Sequence, residues 1–239
     1  MAKRDLVWHI VIVIVFTAVY GAFIHSRAFS ANSWSRLGAI ESLVERGTWA
    51  LDESAFVKSI DKIQVDGRFY SDKPPMMAFL GSGVYALVHH GFGLSLQAQG
   101  CEPDFDRWGC LAWERPTEAD WAYYSLVLLL VCLPAAGMLA LLFHVTQRQG
   151  WSVGMGLLLV VTLGVGTGVW PYSTVFTNHV PAAVCLFVAV YLLLQESQPR
   201  NLALAGFLVT LAAALDLSAA IYVLVMGGYV LLYQRPYIF

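Results

Sequence analysis

In the stretch DGRFYSDKPPMMAFL, residues 66–80, the hydrogen-bonding and charged side chains of Tyr70, Asp72 and Lys73 are set directly against two prolines and an apolar run. An ammonium such as that of Lys73, with the guanidinium of Arg36 upstream, can hold a lipid phosphate through charge-assisted hydrogen bonds. The same Lys and Tyr beside an apolar helix also serve as interfacial anchors, a role that binds nothing specific. A second group of polar residues, Asn178 and His179 with Tyr172 nearby, opens another apolar run and could line a substrate cavity. A lone histidine at such a place is more often a cap or interface residue. Asp216 interrupts the last apolar stretch, and an ionisable residue near a membrane interior is a functional candidate by default.

What must position these residues is a membrane protein. Apolar residues make up 58% of the 239, charged ones only 13%, and the mean hydropathy is +0.64. That is far more apolar than a soluble domain of this size. Of the 30 Asp, Glu, Lys and Arg residues, 22 lie between Arg27 and Asp120, which marks the water-facing part. No Cys/His grouping has zinc-site spacing and no phosphate-binding glycine loop appears, so neither a metal nor a nucleotide cofactor is expected, nor a nucleic-acid partner. The glycines of GVGTGVW suit close helix packing.

A hydrocarbon core of roughly 30 Å needs about 20 helical residues. Uncharged runs of that order cover residues 6–24, 121–146, 151–171, 179–195 and 201–233. The last is divided at Asp216, because a carboxylate at mid-membrane costs about 2.5–3.5 kcal/mol and a turn near the surface avoids most of that. Six transmembrane helices are therefore expected in an all-α fold. The first is read as a retained anchor, since no small-x-small cleavage pattern follows it. Residues 74–96 are expected not to cross. With that segment outside, Lys3, Arg4, Arg148, Arg200 and Arg235 all fall on the cytoplasmic side, as the positive-inside rule prefers.

The resulting organisation is a first helix (1–25), an extracytoplasmic loop (26–120) and a five-helix bundle (121–239). Within the loop, Trp34, Leu37, Ile40, Leu43 and Val44 form one stripe with Arg36, Glu41, Glu45 and Arg46 off it. That pattern predicts an amphipathic helix on the membrane surface, ended by Gly47. The alternation in IDKIQVDGRFYS around Asp66–Gly67 predicts a hairpin, which delivers Tyr70, Asp72 and Lys73 to the start of an interfacial helix. Cys101 and Cys110 stand in CEPDFDRWGC. In an oxidising compartment they could pair in a disulfide worth about 2–4 kcal/mol, and two unpaired thiols are the alternative. Cys132 and Cys185 are read as packing residues.

Three segments, Arg36 with LGAIESLVERGTW, then FYSDKPP, then WPYSTVFTNHVPAA, resemble the amino-terminal half of the GT-C membrane glycosyltransferases. The likeness is to the group containing the protein O-mannosyltransferases and the lipid A aminoarabinose transferase. It implies a bacterial inner-membrane enzyme that takes a sugar from a polyprenyl phosphate at the outer face and passes it to an acceptor. Membrane lipid and the polyprenyl phosphate donor would be its partners, with Lys73 on the carrier phosphate. Such enzymes carry an acidic base just before the arginine corresponding to Arg36, whereas here Asn32, Ser33 and Trp34 precede it. An amide cannot accept a proton near neutral pH, so Asn32 would orient an acceptor, and Glu41, Asp52 or Asp72 would have to act as base. Enzymes of this type continue through further spans. The alternative is a GT-C-like membrane subunit without catalysis, scaffolding a larger complex with other membrane subunits.

Overall fold

The structure is a computed structural model that describes residues 3–28, 30–96, 118–195 and 198–233. Cys101 and Cys110, and with them the disulfide expectation, lie outside the described residues. The chain is mostly helical and divides into two compact units. One holds residues 20–132 and 173–177, and the other residues 1–19, 133–172 and 178–239.

Helix α1 (Lys3–Ala22) is followed in the chain by α2 (Ala31–Arg46), which lies in the first unit. Ser30 caps α2 by accepting from the Ser33 amide at 3.1 Å. Gly47 ends it at φ 65°, a left-handed conformation that costs a glycine little, with its amide on the Leu43 carbonyl. The hairpin forms as the Asp-Gly pair predicts. Strands β1 (Lys62–Val65) and β2 (Arg68–Ser71) run antiparallel, Ile63 faces Tyr70, and the turn residues Asp66 and Gly67 both have positive φ. Helix α3 (Met76–Phe92) begins after the two prolines and ends at Gly93 in the left-handed region. Its buried residues Met77, Ala78, Gly81 and Tyr85 face α2, while Phe79, Leu80 and Leu87 stay exposed on the opposite side.

Helix α2 departs from expectation. Its polar residues do not ride outside on a membrane surface: Arg36 is 6% and Glu41 1% exposed. The reason is a second face of small residues. A Cβ on Gly38 would meet Phe56 at 3.1 Å and Leu51 and Ser54 at 3.2 Å, so the segment after Gly47 folds back tightly over it. Ile40 packs against Gly81 of α3 on another side. The apolar stripe and the small-residue face are thus both used.

Residues 173–177 thread into this unit. Ser33 Oγ donates to the Phe176 carbonyl at 2.9 Å, the His25 amide to the Thr174 carbonyl at 3.1 Å, and the Phe176 amide to the Tyr123 hydroxyl at 3.2 Å. Helix α4 (Glu118–Val127) continues through a π turn (Leu128–Cys132) into α5 (Leu133–Arg148). Pro134 has no amide hydrogen to offer the turn before it, which accounts for the wider turn there.

The second unit contains α6 (Val153–Gly166), α8 (His179–Leu193), α9 (Pro199–Leu215) and α10 (Ile221–Tyr233), with Ala189, Leu193, Ala205, Val209 and Met226 at a shared core. Among the described residues one helix, Trp121–Arg148, is long and apolar enough to cross a membrane alone. The other apolar helices there are shorter, of 10–17 residues. Run 151–171 is the clearest correction. Its helix stops at Gly166, where Thr167 Oγ1 donates to the Leu163 carbonyl and accepts from the Val169 amide, and a short helix α7 (Val169–Ser173) follows. The break expected at Asp216 is present: α9 ends at Leu215, and Asp216 caps a 3-10 turn (Leu217–Ala220) leading into α10.

Gly164 lets α6 approach its neighbours, since a Cβ there would overlap the Phe16 ring and come within 2.9 Å of Leu139 Cδ1. Gly164→Ala should therefore cost about 1–3 kcal/mol through overpacking. Gly154→Ala, where nothing lies within 4 Å, should be neutral or gain up to about 1 kcal/mol of helix propensity. Thermal unfolding of the two variants in detergent checks the contrast.

Candidate functional site

The charged residues at the base of the hairpin converge. Lys73 Nζ lies 3.2 Å from Asp61 Oδ2 and 3.2 Å from both Asp72 carboxylate oxygens. All three side chains are partly enclosed, at 18%, 25% and 32% exposure, so they reach water from a fixed position. The register explains the grouping. Lys62 pairs with Ser71, and continuing the ladder by one residue sets Asp61 across from Asp72. Two facing carboxylates repel; the ammonium at the following position bridges them. Ser71 Oγ sits 2.7 Å from Ser35 Oγ and accepts from the Lys73 amide at 3.3 Å, which fastens the end of β2 to α2 beside Arg36. Helix α3 starts three residues beyond Lys73, so its positive dipole end lies next to the ammonium in sequence.

The other residues singled out by sequence take structural positions. Glu41 is buried, accepting from Ser54 Oγ and from the Ala55 amide at 3.2 Å, and pairing with Arg46 at 3.2 Å. Asp52 accepts from the Phe69 amide at 3.3 and 3.2 Å and so tethers the hairpin. Tyr70 lies in β2, where it bridges to Ala50. Arg36 Nη1 donates to the Asn32 carbonyl at 3.1 Å, so the contact engages the Asn32 backbone. Of the three candidate bases, Asp72 alone stands at Lys73. The carboxylate that sequence reading missed is Asp61, and the hairpin register was the signal that could have found it.

The second unit holds a separate pair. His179 Nδ1 and Asp216 Oδ2 are 2.5 Å apart, with the Tyr172 ring edge-on to the imidazole at a centroid distance of 5.4 Å. Asn178 is buried, and its Nδ2 donates to the Leu215 carbonyl at 3.0 Å, fixing the turn that presents Asp216. Sequence spacing offered no carboxylate partner for a histidine; the fold supplies one 37 residues away. His144 packs on His9 instead, at 5.5 Å. Among the described residues no group of three or more metal-ligating side chains exists.

Comparison with known protein families, curated proteins and solved structures finds no match.

Burial pushes the pKa of the Asp216 carboxyl up, but hydrogen bonds from His179 and from the Ser218 hydroxyl and amide outweigh it and hold the carboxyl below its usual range. A depressed folded-state value stabilises at pH above the unfolded carboxylate's, about 3.9, and that contribution disappears as pH falls through the folded value. Asp216→Ala should cost about 0.5–2 kcal/mol at neutral pH, the usual worth of a helix cap. The difference from the parent should shrink below about pH 4. Thermal melts of both proteins across pH 2.5–7 (a range set by that about 3.9 reference value) provide the check.

Proposed function

We propose that this chain is a bacterial inner-membrane protein of six spans, amino terminus cytoplasmic, that holds a polyprenyl-phosphate sugar at the outer face for transfer to an acceptor. The observation that supports this most is the Lys73 ammonium set between Asp61 and Asp72 at the start of α3. Glycosyl transfer from a phosphate carrier needs a cation on the leaving phosphate and a base for the acceptor. The acceptor oxygen attacks the anomeric carbon, the bond to the phosphate oxygen breaks with its electron pair, and a carboxylate takes the acceptor proton. Lys73 supplies the first group and Asp72 or Asp61 the second. The exposed apolar side of α3, with Phe79, Leu80 and Leu87, gives the polyprenyl chain and the bilayer a surface beside the phosphate.

Topologically, α3 lies along the outer interface in this reading. With α3 outside, Lys3, Arg4, Arg148, Arg200 and Arg235 all fall on the cytoplasmic side, as the positive-inside rule prefers. Single cysteines placed at Asp66 and at Leu94, one beyond each end of α3, should both react with a membrane-impermeant maleimide from outside. Labelling of Leu94→Cys from the cytoplasmic side alone would overturn the six-span map.

One observation favours a second reading, that of a membrane subunit without catalysis. The two carboxylates already neutralise Lys73, and an ion triad at a hairpin base can be purely structural. The readings separate on lipid retention. If Lys73 holds the carrier, native mass spectrometry should show polyprenyl phosphate bound to the parent, partly to Lys73→Arg, and not to Lys73→Met, which keeps the stem's packing. A structural triad predicts equal retention by Lys73→Met, with a stability loss of about 0–1 kcal/mol.

A further inference from the structure

A groove of about 240 Å³ opens where the last turns of α5 and α8 lie side by side. Its walls are apolar, from Val145, Phe187 and Val190, and its rim carries Arg148 with the amides of Gln149 and Gln195. Tyr191 forms one side and is held edge-on against His144 at 6.1 Å between ring centres, and Gln195 Nε2 is tied to the Tyr191 carbonyl at 3.4 Å. The Arg148 guanidinium has no hydrogen-bond or ion-pair partner among the described residues. Pockets that enclose whole ligands run to about 300–1,000 Å³, so this one takes a segment of a chain.

We infer that the groove binds a membrane phospholipid, with the phosphodiester on Arg148 and part of one acyl chain against Val145, Phe187 and Val190. The inference rests on the membrane reading above, in which the turn after α5 faces the cytoplasm. There the exposed Arg148 guanidinium, which holds its hydration less tightly than an ammonium would, can meet a phosphodiester with two parallel hydrogen bonds. The rim amides of Gln149 and Gln195 can donate to the remaining phosphate or ester oxygens. A basic side chain at a cytoplasmic helix end is also where head-group phosphates are found. The two halves of the ligand are both required: the charge selects the phosphate, and the groove selects a chain attached to it.

The experiment uses the full chain purified in a neutral detergent and titrated with dioleoyl phosphatidylglycerol, dioleoylglycerol and inorganic phosphate, read by native mass spectrometry. The phospholipid should be retained, dioleoylglycerol retained weakly, and inorganic phosphate should not displace the phospholipid. Arg148→Gln should weaken phospholipid retention by about tenfold and Arg148→Lys by less. Val190→Trp, at a position 41% exposed, should fill the groove and weaken retention with the guanidinium in place. Circular dichroism melts verify folding of each variant. If Arg148 serves only the carbonyl end of α5, Arg148→Gln loses stability but retains phospholipid as the parent does, and the site is refuted. Equal retention of dioleoylglycerol, or displacement by inorganic phosphate, refutes it as well. Carbonate extraction reads the membrane assignment separately: a chain released into the soluble fraction overturns that assignment and this site together, whereas a membrane-embedded chain with an indifferent Arg148→Gln overturns the site alone.

Discussion

A carboxylate that is 1% exposed has to be answered inside the protein, and Glu41 on α2 is answered by Ser54, the Ala55 amide and Arg46. Breaking such a buried arrangement by removing one partner costs about 3–5 kcal/mol, because the remaining charge is left without water. This requirement organises the whole segment after Gly47. To reach Glu41, residues 51–56 must pass close over α2, which Gly38 permits, and the chain then leaves at Asp61 directly into the hairpin. The hairpin returns to α2 at Ser71, held by Ser35 and by Asp52 on the Phe69 amide. Lys73 and α3 follow with no freedom to be elsewhere. The position of the charged cluster is therefore fixed by a carboxylate that takes no part in it.

The cluster itself serves two demands that pull in opposite directions. Asp61 and Asp72 face one another across the ladder and need a cation between them, while a lipid phosphate would need the same cation turned outward. With side chains between a fifth and a third exposed, the exchange between carboxylate and phosphate as partner of Lys73 is energetically small, since each exposed ion pair is worth about 0–1 kcal/mol.

Features governed by local backbone chemistry were legible in the sequence. Asp66–Gly67 dictates a tight turn, Gly47 a left-handed cap, and Asp216 a break that avoids burying a charge at mid-helix. Features that depend on what packs against an element were not. Arg36 and Glu41 were off the apolar stripe of α2, but the small residues on the remaining face bring chain against them, and burial follows from neighbours the pattern does not name. The partner of His179 lies on a different helix end, and Asp61 joins Lys73 only through the ladder register. Hydropathy also overstated helix length in run 151–171, because it cannot see that the Thr167 hydroxyl closes one helix and opens the next.

Direct mapping of the carrier tests the central assignment of Lys73 most plainly. A polyprenyl phosphate bearing a photoreactive diazirine on the isoprenoid unit next to the phosphate is added to the full chain, irradiated, and the adducts located by peptide mass spectrometry. Phosphate binding at Lys73 predicts adducts on residues of the hairpin base and the first turns of α3, lost when unlabelled polyprenyl phosphate competes and unaffected by polyprenol without the phosphate. Adducts spread over the apolar helices and equally displaced by polyprenol would contradict it.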